Sequence, residues 1–396
     1  MPSDSRRLAI ALSGLCTFIN LYATQPLLPL FARDFQATAA QVSLTIGAST
    51  LAVALGAPFA GLVADVVGRK RIIAGAMALL VIPTALVALS TSIGELVLWR
   101  FVQGLLLPPI FAVTIAYIGD EWPGDQVPGV TAAYIAAGGL GGFLGRFVSG
   151  VVADHGGWRA AFWIYAAVTA VSAAYVARAL PRERNFVRAE GLRHSARLAI
   201  GHLFNPPIVA TFAIGFAVLF SFVAAFTYVS FYLAASPFEL SASALGSIFV
   251  VYLLAVVVTP MTGRWANRVG RRALVIGAIA VWCVGLLITL VPWLPSIIAG
   301  LAITSVAGFV CQAAATGLLA QQAEAARSSA VGLYVTCYYL GGTAGATVPA
   351  PVWERAGWAG CVALVILVLV AMAALVARFW RSERPGHARL EKLASL

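Results

Sequence analysis

Along the chain, apolar runs long enough to cross a bilayer alternate with short polar breaks. Six fall at about residues 8 to 31, 41 to 64, 71 to 90, 95 to 118, 127 to 152 and 158 to 179. After an arginine-rich stretch from Pro181 to Asn205, six more follow at about 207 to 233, 243 to 264, 272 to 293, 295 to 319, 328 to 352 and 357 to 379. A membrane-spanning helix needs roughly 20 mainly apolar residues, so the pattern predicts an all-α integral membrane protein with twelve transmembrane helices. The expected organisation is a six-helix bundle over 1–180, a basic central loop over 181–205, a second six-helix bundle over 206–380 and a tail over 381–396. Run 1 follows Arg6 and Arg7, as a signal peptide would. It is too long for a cleavable apolar core and lacks a small-x-small cleavage site, so it reads as a retained helix.

Composition narrows the class. Of 396 residues, 61% are hydrophobic and 10% charged, where a soluble domain carries about 25% charged residues. That excludes a water-soluble enzyme, and no catalytic constellation or sizeable soluble domain marks a membrane-bound one. A net charge of +11 would suggest a nucleic-acid partner in a soluble chain. Here, with both termini placed in the cytoplasm, alternation puts 21 of the 26 Lys and Arg residues inside, three outside (Arg33, Arg159, Arg355) and two within spans (Arg100, Arg146). Such a bias sets membrane orientation. The basic charge is therefore topological, with acidic lipid headgroups as its partners, and no nucleic acid is needed. The five cysteines lie in apolar runs without metal-ligand spacing, so neither a disulfide framework nor a metal or cofactor site is expected.

The two halves repeat. Gly141-Gly142-x-x-Gly145, Asp154 and Gly157-Trp158 recur 200 residues later as Gly341-Gly342-x-x-Gly345, Glu354 and Gly357-Trp358. Gly61 and Gly68-Arg69-Lys70 recur as Gly263 and Gly270-Arg271-Arg272, offset by 202. A duplication of this kind places a substrate path at the interface between the copies, giving two pseudo-symmetric six-helix bundles.

Between runs 2 and 3, Gly61-Leu-Val-Ala-Asp65-Val-Val-Gly68-Arg69-Lys70-Arg71 sets a carboxylate at the end of one helix and three cations after a glycine turn. This stretch resembles the loop signature of the major facilitator superfamily, and twelve runs, duplicated halves and a basic central loop extend the likeness over the whole chain. The resemblance implies that Asp65 faces the amino end of run 11, near Arg327 to Ala330, when the cavity opens to the periplasm. It also implies that Arg69 pairs with Asp120 or Glu121, holding the cytoplasmic side shut. In the second half Asn267 replaces the aspartate, which leaves Arg271 to meet Glu324.

Arg100-Phe-Val-Gln103-Gly104 in run 4 matches the superfamily's Arg-x-x-Gln-Gly pattern of proton-coupled members. Gly138, Gly139, Gly141, Gly142, Gly145 and Gly150 in run 5 resemble the glycine-rich motif of drug:proton antiporters, with Arg146 where proline is usual. With Tyr22-Ala-Thr-Gln-Pro-Leu-Leu-Pro29 in run 1, these residues resemble the bacterial drug:proton antiporter and arabinose-efflux-like permease branch.

No Asp, Glu or His stands at the centre of any run. Because arginine keeps its proton, the candidates for proton coupling reduce to Glu95 and Asp34, beside Arg100. Asn20, Tyr22, Gln25, Arg100, Gln103, Tyr134, Arg146, Tyr228, Tyr232, Gln312, Tyr334 and Tyr338 are the candidate substrate-binding groups. Both intramembrane arginines are expected to line the cavity, since a charge in a span avoids lipid, with Glu95 as counter-ion to Arg100. The first functional reading is a monomeric exporter of a small amphipathic compound in a bacterial inner membrane, driven by proton influx. The second is an exchanger or facilitator of anionic or zwitterionic metabolites.

Overall fold

The computed structural model describes residues 3–183, 204–322 and 327–380. Most of the basic central loop, Glu324 and the tail lie outside the described residues, as do the side chains of Asp65 and Arg327. Helix α1 runs over Ser3–Tyr22, breaks at a 3-10 turn, Gln25–Leu27, and resumes over Leu28–Asp34. The first half continues with α2 (Ala39–Val67), α3 (Arg69–Leu89), α4 (Ile93–Glu121), α5 (Val127–Gly156) and α6 (Trp158–Ala179). The second holds α7 (Pro206–Ala234), α8 in three pieces (Ala242–Ile248, Val251–Val258 and Thr262–Val269), α9 (Arg271–Ile288), α10 (Leu294–Gln322), α11 (Arg327–Thr347) and α12 (Ala350–Phe379). Eleven of these helices are long and apolar enough to cross a membrane. In α11, tyrosines at 334, 338 and 339 and four glycines dilute the apolar character.

Neighbours match between the halves. α1 packs on α5 as α7 packs on α11, α3 on α6 as α9 on α12, and α2 on α4 as α8 on α10. Gly141 and Gly145 let α5 approach the backbone of Leu15 and Ile19, where an added Cβ would meet the carbonyl oxygens. Gly341 and Gly345 do the same against Phe216 and Phe220. Two helices can approach this closely only over small residues, so the repeated glycines are the repeated packing seam. Between α2 and α3 the turn is Gly68 alone, with φ +99°, and between α8 and α9 it is Gly270, with φ +82°. A side chain is strained in that region. Gly61, expected in this turn, instead lies inside α2.

The halves meet unevenly. At the end away from Gly68 and Gly270, α2 touches α11: Thr50 Oγ1 lies 3.1 Å from Thr343 Oγ1, and Thr343 donates to the Gly47 carbonyl at 3.3 Å. On the other side of the interface α5 touches α8, with Gly150 against Ala242 and Gly246 against the Arg146 backbone. Followed toward Gly68, the same stripes come apart. Ile135 is 62% exposed, and Ala132, Pro58 and Gly61 are exposed as well. The interface is a wedge, sealed at one end and open at the other.

Candidate functional site

The break in α1 builds the first polar cluster. A helix that ends leaves its last carbonyls without intrahelical partners, and Pro26 and Pro29 prevent α1 from running straight on. Arg100 of α4, fully buried, reaches these orphans. One terminal nitrogen donates to the Asn20 carbonyl and to Gln103 Oε1, both at 2.6 Å. The other donates to the Leu21 carbonyl and to Ser49 Oγ, and Nε donates to the Thr45 carbonyl. A guanidinium has five N–H groups, and all five are engaged. Gln103 Nε2 donates to Thr84 Oγ1 at 2.8 Å, Thr84 donates to Asn20 Oδ1 at 2.9 Å, and Asn20 Nδ2 donates to the Cys16 carbonyl and Thr169 Oγ1. The carbonyl end of a helix carries partial negative charge, which serves this cation in place of a carboxylate.

Two expectations fail here. Arg100 does not line a cavity, and with it Asn20 and Gln103 are enclosed in the first half. Nor is Glu95 its counter-ion: Oε2 accepts from Thr91 N at 2.8 Å and Thr91 Oγ1 at 3.0 Å, outside the bundle. At 3.6 residues per turn, a spacing of five residues sends Glu95 to another face of α4. Asp34, the other acid considered for proton coupling, accepts from Trp158 Nε1 at 3.1 Å and pairs with exposed Arg33.

Arg146 stands differently. Buried to 3% exposure, it donates from Nε to Gln25 Oε1 at 2.7 Å and from Nη1 to the Gly142 carbonyl at 2.6 Å. Its remaining neighbours are rings, with Tyr22, Phe249 and Tyr252 centred 4.2, 4.7 and 4.9 Å from the guanidinium carbon. Among the described residues no carboxylate lies within 4.0 Å of it. Gln25 in turn donates to Thr227 Oγ1 of α7 at 3.3 Å. Arg146 therefore sits where α1, α5 and α8 meet, at the inner end of the wedge. Phe249 and Tyr252 were not foreseen, because the break in α8 that presents them leaves no clear mark in an apolar run.

The other candidates divide. Tyr334 donates to Gln312 Oε1 at 2.8 Å and stacks at 6.1 Å on Tyr338, which remains half-buried. Tyr134 donates to the Phe111 carbonyl and packs on Gly14. Tyr228 donates to the Ala346 carbonyl at 2.8 Å, while Tyr232 stacks on Trp358; both belong to the sealed end and to packing. Around the Gly68 turn, Arg69 and Asp120 form an ion pair of 2.5 Å, whereas Glu121 presents its backbone carbonyl to Arg6. Asn267 is exposed, and Arg271 Nη1 is buried without a partner among the described residues. At the sealed end, Asp154 accepts from the backbone N–H groups of Ala242 and Ser243 at 3.2 and 2.9 Å and from Ser243 Oγ at 2.5 Å. This fastening of α5 to α8 escaped the sequence because it joins residues 88 and 89 positions apart.

The sequence profile of the Major Facilitator Superfamily matches residues 10–251 and, separately, 226–395. The chain belongs to the major facilitator superfamily. It is 32% identical over 367 residues to the inner membrane transport protein YnfM of Escherichia coli (strain K12), covering 92% of this chain and 87% of that protein. To a transporter of Buchnera aphidicola subsp. Schizaphis graminum it is 30% identical over 364 residues, 92% of this chain and 88% of the relative. The crystal structure of the nucleoside transporter NupG superposes with a TM-score of 0.79 at 14% identity, covering 95% of this chain and 100% of that one. Superfamily membership makes this a multi-pass membrane transporter and not an enzyme, and the wedge between its halves is where a substrate path is expected.

Proposed function

We propose that this transporter, a monomer in a bacterial inner membrane, exports a small amphipathic compound from the cytoplasm by alternating access, driven by proton influx. The wedge supports this reading: contacts that seal one end coexist with exposed facing stripes at the other. The charge count makes the open end cytoplasmic. Half-buried rings of Phe18, Tyr22, Tyr252, Phe309 and Tyr338 then form an apolar lining reached from inside the cell. Arg69 with Asp120 belongs to the machinery that closes this end in the opposite state, with Gly61, Asp65, Gly68, Asn267, Arg271 and Glu324 as its remaining parts.

The second reading, exchange or facilitated flux of anionic or zwitterionic metabolites, is favoured by Arg146, a buried cation facing rings and no described acid. Proteoliposomes carrying Thr50→Cys and Thr343→Cys test the transport cycle. A disulfide between these positions should stop flux, and a reductant should restore it; flux through the oxidised protein would refute alternating access. An imposed pH gradient separates the two readings, because proton-driven export requires it and exchange proceeds without it.

A further inference from the structure

We infer that Arg146 is the anchor for an amphipathic organic anion, a carboxylate or sulfonate on an aromatic or other apolar body, and that this anchor is shared between substrate and seal. The inference rests on the transport reading and names the substrate class of its site. Two of the five guanidinium N–H groups are engaged, by Gln25 and Gly142. The rest of the shell is the faces of Tyr22, Phe249 and Tyr252. Ring faces attract a cation but leave the planar fork free to hold a carboxylate through two parallel hydrogen bonds. Beside the cage, Tyr252 lies 5.9 Å from half-buried Phe309, a surface that suits an apolar body and offers nothing to a second charge.

The cage also spans the interface. Tyr22 and Arg146 belong to the first half, Phe249 and Tyr252 to the second, and the backbone of Arg146 bears on Gly246. Opening the sealed end draws α8 from α5 and removes two of the three rings around the cation. A ligand shifts a conformational equilibrium only through unequal affinity for the two states. An anion held in the fork supplies that difference, since it offsets the charge once the rings have gone.

Three matched probes read this directly in detergent-purified protein: 2-naphthoate, 2-naphthylmethylammonium and 2-naphthalenemethanol, each followed by the shift in unfolding temperature and by quenching of tryptophan fluorescence. The wild type should bind naphthoate about tenfold more tightly than the alcohol, the worth of one charge-assisted hydrogen bond, and the ammonium least. Arg146→Gln should bring naphthoate down to the alcohol. Should Arg146→Gln fail to fold, Arg146→Lys takes its place, binding naphthoate less tightly and so losing part of the preference over the alcohol. Tyr252→Leu, which retains the cation, should keep the order of the three probes. Equal binding of all three by the wild type, or an unchanged preference in Arg146→Gln or unchanged naphthoate affinity in Arg146→Lys, would overturn the inference. The Thr50–Thr343 disulfide separates this failure from that of the transport reading: it should stop flux yet leave naphthoate binding from the open end intact.

Discussion

Two arginines lie buried within the membrane-spanning helices of one bundle, on neighbouring helices, and the protein treats them in opposite ways. Arg100 is surrounded by oxygen: three carbonyls, a glutamine and a serine take all five of its hydrogens. Arg146 has two oxygens and three rings. The first cation repairs a broken helix, since the carbonyls freed where α1 ends would otherwise be buried without donors. The second is held at the junction of the two halves with hydrogen-bonding capacity to spare. Burial alone says little about whether a membrane charge is functional; the number of its donors already engaged says more.

The largest effect is expected at Arg100. Arg100→Ala removes five hydrogen bonds, each worth about 0.6 kcal/mol within a membrane protein, and strands carbonyls in the interior. Destabilisation of roughly 3 kcal/mol or more follows, visible as a lowered unfolding temperature or as loss of folded protein. Wild-type stability in this variant would reduce Arg100 to the level of Arg146. Next come the seams. Gly141→Leu and Gly341→Leu press a side chain into the backbone of Leu15 and Phe216, and each should cost about 1–3 kcal/mol by overpacking. A loss in one half alone would break the equivalence of the repeats.

Smaller effects test the two ends of the wedge. Asp154→Asn weakens the grip on the start of α8, so cysteines placed along the α5–α8 contact should become reactive toward a membrane-impermeant maleimide, with little change in unfolding temperature. Unchanged labelling would show that α2 and α11 hold the seal unaided. Arg69 and Asp120, partly exposed, form the weakest contact: Asp120→Asn should cost no more than about 1 kcal/mol and become indistinguishable from wild type at high salt.

Much of this architecture is readable in the chain because a bilayer simplifies the reading. Twelve apolar runs can be little else, and glycines recurring at 141, 145, 341 and 345 mark a seam wherever the partner helix lies. The first run reads as one continuous helix, and the break at Pro26 and Pro29, with the carbonyls it leaves in need of donors, emerges only in the fold. Spacing cannot say which arginine answers them, since Arg100 reaches Asn20 and Leu21 across 80 and 79 residues. For that reason the two arginines look alike in sequence. The aromatic cage was hidden too: Phe249 and Tyr252 flank a break in α8 within an unremarked apolar run, and only the packing of α8 on α5 turns them toward Arg146.

Charge selectivity measured in parallel for the two conservative variants tests the division most directly. Arg100→Lys and Arg146→Lys are reconstituted, and for each the ratio of 2-naphthoate to 2-naphthalenemethanol flux is recorded beside the unfolding temperature. With three donors for five acceptors, Arg100→Lys should unfold at a lower temperature and keep the wild-type flux ratio. Arg146→Lys should retain stability and lose part of its preference for the anion, because an ammonium lacks the planar fork. A changed ratio in Arg100→Lys, with Arg146→Lys indistinguishable from wild type, would contradict the assignment of structure to one arginine and substrate to the other.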